Sequence, residues 1–295
     1  MDIKVLSPLW GSENQDLRLF LKRVDAAGYD GIDTWIPTEK EDQKTVLNYL
    51  DSREIYLVAH QHEASGTTFN KFLRSFSAQL HKCAALKPQT INSHTGKDHF
   101  STAQFLDLIA AAEDFTAKTG ITVLHETHRG RMGYSPQMTA ELMEKNSTYL
   151  LTADFSHWTC VTESMLENFR ETLKQAIHRT RHIHARIGFE QGPQVPDPRA
   201  PEWQYALNKF LGWWDEIYET NQRSGRNVLS FTTEFGPVPY MPIIPYTAKP
   251  VADQFELNCF MKDLLRKRYA APDKSSQQNP LLSPMNKMTA HFIQG

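Results

Sequence analysis

Short runs of apolar and β-branched residues recur along the chain, separated by segments whose apolar residues are spaced as on one face of a helix. The runs are IKVL from residue 3, GIDTW from 31, IYLVAH from 55, TINSH from 90, TVLHE from 122, YLLTADF from 149, HIHARI from 182 and NVLSFTTEF from 227. Runs of this length and composition are typical of buried strands. The pattern therefore predicts eight strands.

The intervening segments end at residues that suit helix termini. Leu17, Phe20, Leu21 and Val24 precede Gly28 at helical spacing, and a similar apolar series precedes Gly120, where a glycine C-cap belongs. Other helical segments are TFNKFLRSFSAQLHKCAAL, ESMLENFRETLKQAIHRT, EWQYALNKFLGWWDEIYETN and ADQFELNCFMKDLLRKRYA.

Strand followed by helix, repeated along the chain, is the pattern of a (β/α)8 TIM barrel. A doubly wound open sheet is disfavoured because it usually has fewer strands and no G-x-G-x-x-G follows any strand here. We predict one α/β domain over residues 1–271 and a C-terminal tail over 272–295, packed on the barrel or on a partner subunit. The proline-rich stretch GFEQGPQVPDPRAPEW after the seventh strand is a structured loop over the active face or a mobile lid.

Composition narrows the class of protein. Hydrophobic residues make up 40% of the 295 residues and charged residues 22%, as in ordinary globular proteins. A formal net charge of −2 disfavours a nucleic acid partner. Three cysteines without a C-x-x-C pair disfavour a disulfide framework, and the chain shows no signal-like start or apolar run long enough to span a membrane. We therefore expect a cytoplasmic protein.

Candidate metal ligands gather at the carboxyl ends of the predicted strands, where the active site of such a barrel lies. They are His60 and His62 (third strand), His94 (fourth), Glu126 (fifth), Asp154 and His157 (sixth), His182 and His184 (seventh) and Glu234 (eighth). Any one of them alone is more often a structural residue. Carboxylate, carboxylate, imidazole and carboxylate on four consecutive strands together predict a site for one divalent ion, Mn²⁺, Co²⁺, Mg²⁺ or Zn²⁺.

The stretch HETH, residues 125–128, contains two of the histidines. It is not the helical His-Glu-x-x-His of zinc proteases, because the spacing is three and the segment reads as a strand. Strand alternation puts Glu126 and His128 on one side, with His125 facing the surrounding helices. By the same alternation His182 shares the side of His184 but lies deeper, as a polar core residue.

The stretches HETH, DFSH, HIHAR and TEFG, in that order on strands five to eight, resemble the xylose isomerase-like TIM barrels. This superfamily includes sugar isomerases and epimerases, inosose dehydratases and endonuclease IV. The resemblance implies Glu126, Asp154, His184 and Glu234 as metal ligands and His157 as a residue that binds substrate oxygens. It also implies a substrate-binding arginine after the seventh strand, Arg186 or Arg199.

Other residues at the predicted mouth are candidates for substrate contacts. His62, His94 and His128 lie at strand ends, as do Trp10, Trp35 and Trp158, whose aromatic faces suit packing on the C–H surface of a sugar. Trp203, Trp213 and Trp214 fall in a helical pattern and are expected in the core or an interface. Arg129 and Arg131 suit an anionic group, but the chain lacks a glycine-rich phosphate cradle, so a free sugar or keto-polyol is the expected substrate.

The resemblance implies an isomerase or epimerase that works through a metal-bound cis-enediolate, with Glu126 and Glu234 exchanging the proton. The same residues serve an inosose-type dehydratase or lyase. An endonuclease IV-like phosphoesterase is a further alternative, but the D-x-H pair expected after the seventh strand is missing, since Asp197 is followed by Pro198 and Arg199. A non-catalytic metal- or sugar-binding barrel and a homo-oligomer, through the tail or helix 202–220, both remain open.

Overall fold

Eight parallel strands form a closed barrel in chain order in the computed structural model, which describes residues 1–52 and 55–270. They are β1 (Asp2–Pro8), β2 (Gly31–Thr34), β3 (Tyr56–Gln61), β4 (Thr90–Ser93), β5 (Thr122–Glu126), β6 (Leu151–Ala153), β7 (Thr180–Ala185) and β8 (Val228–Thr233). The barrel closes where β1 pairs with β8, from Asp2 opposite Val228 to Leu6 opposite Thr232. The predicted TIM barrel is confirmed, whereas the predicted tail 272–295 lies outside the described residues.

Helices follow the strands and cover the outside of the barrel. They are α1 (Leu17–Ala26), α2 (Lys40–Asp51), α3 (Phe69–Ala84), α4 (Thr102–Thr119), α5 (Pro136–Lys145), α6 (Phe155–Thr162), α7 (Arg170–Arg179), α8 (Gln204–Arg223) and α9 (Gln254–Tyr269). Sequence explains the ends of α4: Ser101 and Gln104 form a reciprocal capping box, and Gly120 ends the helix with a φ of 75°. None of the described helices combines the length and apolar character needed to cross a bilayer.

Two apolar clusters join the barrel to its helices. One packs α1 to α4 against β2, β3 and β4, around Phe20, Phe72 and Phe76. The other packs α5 to α9 against β6, β7, β8 and β1, around Phe155, Trp158 and Trp214. Inside the barrel lies a polar layer, in which His182 bonds Ser230 Oγ at 2.8 Å and Thr232 Oγ1 at 3.0 Å. His182 therefore lies in a polar core, below His184.

The segment after β6 differs from the prediction. The sequence pattern assigns residues 149–155 to a strand and 163–180 to one helix, but β6 is three residues long and α6 starts at once at Phe155. Glu163 and Leu166 have positive φ angles of 47° and 62°, which break the predicted helix so that α7 begins only at Arg170. The consequence is that Asp154 caps α6, with its carboxylate accepting from Ser156 N at 3.1 Å.

The loop between β7 and α8 is tied to the end of β8. The Gln194 side chain accepts from Gly236 N at 2.7 Å and donates to Gly236 O at 3.3 Å. Val195 N donates to Ile187 O at 2.9 Å. These contacts hold the predicted proline-rich loop against β7 and the end of β8. A short hairpin of β9 (Ile243–Ile244) and β10 (Lys249–Pro250) follows β8.

Candidate metal centre and active-site cleft

The four residues predicted as ligands meet at the carboxyl end of the barrel. Glu126 is the last residue of β5, Asp154 caps α6, His184 lies in β7 and Glu234 directly follows β8. One ligand atom from each lies within 4.8 Å of the others, and all four side chains are buried. Strands that are far apart in sequence thus bring three carboxylates and one imidazole to one point.

Glu126 is held by its neighbours through one oxygen only. Asn92 Nδ2 donates to Glu126 Oε2 at 2.6 Å, and His94 Nε2 lies 3.1 Å from the same oxygen. Glu126 Oε1 has no hydrogen-bond partner among the described residues and lies 3.5 Å from His184 Nδ1. Burial alone would raise the pKa of Glu126, but His184 and His94 outweigh it and hold the pKa well below its ordinary value. Glu126 is therefore an ionised candidate ligand with one carboxylate oxygen that lacks a hydrogen-bond partner in the described residues.

His184 is oriented by an aspartate on its other side. Its Nε2 lies 3.1 Å from Asp33 Oδ2, while Nδ1 lies 3.0 Å from Glu234 Oε1 without hydrogen-bond geometry. Burial would lower the pKa of His184, yet Glu234, Glu126 and Asp33 raise it well above its ordinary value. The carboxylates around this imidazole therefore favour positive charge at this point of the site.

Asp154 shares its oxygens with an arginine and a serine. Arg186 Nη2 donates to Asp154 Oδ2, and Ser156 Oγ donates to Asp154 Oδ1. Arg186 also donates to His157 Nε2 at 2.9 Å and lies 3.6 Å from Glu234 Oε2. Burial raises the pKa of Asp154 to about 7, with Glu234 and Glu126 adding to the effect of burial and Arg186 opposing it. The positive charge of Arg186 alone does not offset burial and the negative charges of Glu234 and Glu126, so the pKa of Asp154 stays raised.

These residues fit a divalent cation. Glu126 Oε1, His184 Nδ1 and Glu234 Oε2 are buried ligand atoms without a hydrogen-bond partner in the described part of the chain. Oxygen donors with one imidazole nitrogen are the ligands that Mn²⁺, Co²⁺, Mg²⁺ or Zn²⁺ accept. A cation there would satisfy the unpartnered atoms and neutralise the carboxylates.

Further clusters of ligand-type side chains adjoin this one. His60, His94 and Glu126 form a second group, and Glu126, His128 and His157 a third, each with ligand atoms within 4.8 Å. Burial lowers the pKa of His60, His94, His128 and His157, which leaves them neutral and able to accept hydrogen bonds or bind metal. Glu126 belongs to three of the four such groups among the described residues.

A cleft of about 440 Å³ opens above the cluster. Its lining is aromatic and polar: Trp10, Glu13, Trp35, His60, His62, His94, His128, Arg131, Arg186, Glu234 and Tyr240. Of the predicted substrate contacts, Trp10, His62, His94, His128 and Arg186 therefore line the cleft. His157 is fully buried beside Arg186, outside this lining, and its contact with substrate stays a prediction.

Some predicted residues lie elsewhere. Trp158 is not at the mouth: it lies in α6, fully buried, where its indole N–H donates to Gly133 O at 2.9 Å. The strand prediction placed it wrongly because α6 starts at Phe155, inside the stretch assigned to a strand. Arg199 is on the exposed side of its loop, paired with Asp197 at 2.7 Å, so of the two arginines predicted after the seventh strand Arg186 is the one that lines the cleft. His125 bonds Thr95 Oγ1 at 2.7 Å outside the barrel lumen.

The sequence interpretation missed four residues, namely the cleft residue Glu13 together with Asp33, Asn92 and Tyr240. Asp33 lies near the end of the predicted strand GIDTW, as Glu126 ends TVLHE, so the same strand-end signal marks it. Asn92 alternates with the outward-facing Ile91 in TINSH, which marks it as inward-facing. Tyr240 comes from the irregular loop after β8, and nothing in its sequence context indicates that it faces the cleft.

Comparison with known proteins agrees with this geometry. The profile of the xylose isomerase-like TIM barrel family matches residues 21–191, more than half of the chain, and the protein belongs to that family. Similar solved structures include the probable 3-DHS dehydratase AsbF involved in petrobactin synthesis from Bacillus anthracis, with 17% identity over 90% of this chain and 99% of that one, at a TM-score of 0.58.

Two more structures share the fold. One is 3-keto-D-glucoside 4-epimerase, YcjR, from E. coli in its apo form, with 11% identity over 90% of this chain and 100% of that one, at a TM-score of 0.58. The other is endonuclease IV from Thermus thermophilus, with 13% identity over 90% of this chain and 97% of that one, at a TM-score of 0.53. At these identities the likeness establishes the fold alone, and the reaction has to be argued from the site.

Proposed function

We propose that this protein is a divalent-metal-dependent isomerase or epimerase that acts on a small sugar or keto-polyol. The observation that carries the proposal is the pair Glu126 and Glu234, both buried and both with a carboxylate oxygen that lacks a hydrogen-bond partner in the described residues. They flank His184 Nδ1 at 3.5 and 3.0 Å, at the bottom of an aromatic-lined cleft. Together with Asp154 and His184 they would hold one divalent ion.

Such an ion, when bound, supplies Lewis acidity that polarises a substrate carbonyl and lowers the pKa of the adjacent C–H bond. Glu126 or Glu234 removes that proton, the electron pair of the C–H bond moves into the carbonyl to give an enediolate, and the other glutamate returns a proton. Burial would raise the pKa of both glutamates, but His184 lowers it more, so both are ionised and ready to accept a proton. They come from β5 and β8, which β6 and β7 separate in the barrel.

The remaining lining suits a polyhydroxy compound. His62, His94 and His128 present imidazoles to hydroxyl groups, and burial keeps their pKa values low enough for the neutral form. Trp10 and Tyr240 lie edge to face, with ring centroids 4.9 Å apart, and offer aromatic surface for the C–H face of a sugar. If the substrate carries a hydroxyl β to the carbonyl, the same proton removal leads to loss of water, which makes a dehydratase or lyase the nearest alternative.

A phosphoesterase is a second candidate because of the His60, His94 and Glu126 group. This group shares Glu126 with the four-residue cluster, so these residues would suit a second ion beside the first, and two-metal sites serve phosphoester hydrolysis. Against it stand the aromatic lining of the cleft, the net charge of −2 and the missing D-x-H pair after β7. We therefore rank it second.

Metal content separates these proposals. Elemental mass spectrometry on protein purified without chelator should find about one equivalent of Mn, Co, Mg or Zn, which falls sharply in Glu234→Gln. Glu141→Gln, an exposed carboxylate of α5, is the matched control and should retain the metal. Two or three zinc equivalents would favour phosphoester chemistry. A protein that takes up no metal after reloading would overturn the site.

Hydrogen exchange then distinguishes an enzyme from a binding barrel. Ketoses and inososes incubated with the metal-loaded protein in D₂O should gain deuterium next to the carbonyl, as followed by NMR. Removal of one carboxylate should reduce this exchange by about 10²-fold or more, the usual contribution of a general base. A barrel that binds sugars equally well in wild type and Glu126→Gln, without exchange in either, would be a binding protein.

A further inference from the structure

Arg131 is a cation at the rim of the cleft that the proposed reaction does not use. It lies in the loop between β5 and α5, in a turn closed by Arg131 N donating to His128 O at 3.1 Å. Gly130 allows this turn through a φ of 73°. The turn presents the guanidinium to the cleft, whose lining includes Arg131 beside His62, His94 and His128. Arg131 and Glu234 therefore line the same cleft.

The guanidinium of Arg131 is half-buried and short of partners. Its Nη1 atom is buried and has no hydrogen-bond partner within residues 1–52 and 55–270. No carboxylate of those residues forms an ion pair with it, and burial lowers its pKa, an effect that Glu126 and Asp98 oppose only in part. A buried, charged donor without a partner is costly, and binding sites retain such groups when a ligand supplies the acceptor.

The other arginines near the cleft are engaged. Arg186 is bonded to Asp154, Ser156 and His157. The guanidinium of Arg129 lies 5.3 Å from the centre of the Tyr240 ring and contacts Cys160 Sγ at 3.9 Å. Of the two arginines that line the cleft, Arg131 is therefore the one with a guanidinium nitrogen that lacks a hydrogen-bond partner in the described residues.

The groups around Arg131 define which anion fits. His62 and His94, which line the cleft beside Arg131, present imidazole rings and no carboxylate to it. Lys97 is a neighbouring cation whose pKa is lowered by burial and by Arg131, and Asp98 partly balances the two. On the cleft side Glu13 and Glu234 add negative charge. One free guanidinium in these surroundings balances a singly charged anion better than a doubly charged one.

We propose that the substrate carries a carboxylate, bound by Arg131, at the end remote from the reacting carbonyl. The inference rests on the proposed function and refines its substrate class from a neutral sugar to a sugar acid or keto acid. A guanidinium fork matches the two oxygens of a carboxylate, so this contact fixes orientation as well as charge. The cleft then holds the substrate by its carboxylate at the rim and its carbonyl at the glutamates.

The test uses a hydroxyketone without stereocentres, so that it does not depend on knowing the sugar. The probes are 5-hydroxy-4-oxopentanoate, its methyl ester and dihydroxyacetone phosphate, titrated calorimetrically into metal-loaded protein. We expect the acid to bind about 10- to 100-fold more tightly than the ester, the range for a charged hydrogen-bonded contact. Arg131→Gln should abolish this preference while leaving the ester affinity unchanged, and Arg131→Lys should retain part of it.

Arg129→Gln is the matched control, because it removes a guanidinium from the same loop that does not line the cleft. It should leave the preference intact. An acid that binds no better than the ester, or a preference that survives in Arg131→Gln, would overturn the proposal. Stronger, Arg131-dependent binding of dihydroxyacetone phosphate would reject the carboxylate in favour of phosphate. Binding of the methyl ester shows that the cleft is folded, whichever anion it prefers. Deuterium exchange tests the isomerase proposal independently, so the two proposals can fail separately.

Discussion

Asp33 connects the candidate metal ligand His184 to the barrel wall. Its Oδ2 accepts from Thr232 Oγ1 at 2.9 Å and lies 3.1 Å from His184 Nε2, so it fixes the ring with Nδ1 toward the glutamates. A carboxylate behind a metal-binding histidine typically raises metal affinity about 10- to 100-fold. Asp33→Asn should therefore weaken metal binding by about that factor, as measured by competition with a chromophoric chelator.

Asp30→Asn is the control for Asp33→Asn, because it removes another carboxylate near β2 and should leave metal affinity unchanged. Asp30 bonds Val5 N at 2.8 Å and pairs with Arg266, away from the cluster. The Co²⁺ spectrum of the loaded protein adds a second readout, because a reoriented imidazole changes the ligand field while a general loss of stability does not. Equal affinities and spectra in wild type and Asp33→Asn would show that Asp33 has only a structural role.

The metal-centre residues differ in how far sequence predicts them. Glu126, Asp154, His184 and Glu234 stand at the ends of recognisable strands, and the barrel geometry alone brings such positions together. Which side-chain oxygen stays free depends on contacts across the barrel, such as Asn92 with Glu126, that no local pattern reveals. The unpartnered Nη1 of Arg131 could not be predicted either, because it depends on which side chains the fold places around the guanidinium.

The β7–α8 loop packs against the start of α6 with no room for a side chain at Gly188. A Cβ on Gly188 would lie 2.8 Å from Ser156 Cα and Cβ, and Ser156 bridges Asp154 and Arg186. Gly188→Ala should lower the free energy of unfolding by about 1–3 kcal/mol, the usual cost of overpacking. It should also weaken metal binding, since Asp154 moves with Ser156. Urea denaturation in chelator and metal titration measure the two effects.

Gly212→Ala is the matched substitution in the interior of α8, where an added Cβ meets nothing within 4 Å. It should raise the free energy of unfolding by about 0.4–1 kcal/mol, because alanine loses less backbone entropy in a helix. Metal affinity should not change. If both alanine variants shift stability alike, the close approach of Gly188 to Ser156 has no consequence in solution.

Most elements were predictable because apolar periodicity is a local property. All eight predicted strands are present, and α4 ends at the predicted Gly120. The error around β6 has a physical cause: Phe155 and Trp158 suit a strand by composition, but Asp154 caps a helix and the aromatic side chains pack into the core from it. A tertiary contact decided between two conformations that the local sequence permits.

At the scale of the whole barrel, the candidate metal centre joins strands that do not all pair with one another. Its four residues come from the ends of β5, β6, β7 and β8, and Asp33 adds β2 through His184. A ligand that binds only the folded chain stabilises it by mass action, by about 2.7 kcal/mol at a concentration 100 times its Kd. A bound ion should therefore stabilise the entire fold and not just the loops at the mouth.

We expect Mn²⁺ added to chelator-treated protein to raise Tm by about 5–10 °C, since each kcal/mol corresponds to about 2–4 °C in a domain approaching this size. Glu126→Gln should lose most of this shift, because Glu126 belongs to both the four-residue cluster and the His60 and His94 group. Asp114→Asn removes an exposed carboxylate of α4, paired with Lys118, and should keep the shift. Differential scanning fluorimetry over a range of Mn²⁺ concentrations measures it. A shift of equal size in Glu126→Gln would mean that the ion binds elsewhere on the barrel, and the proposed proton transfer would lose its support.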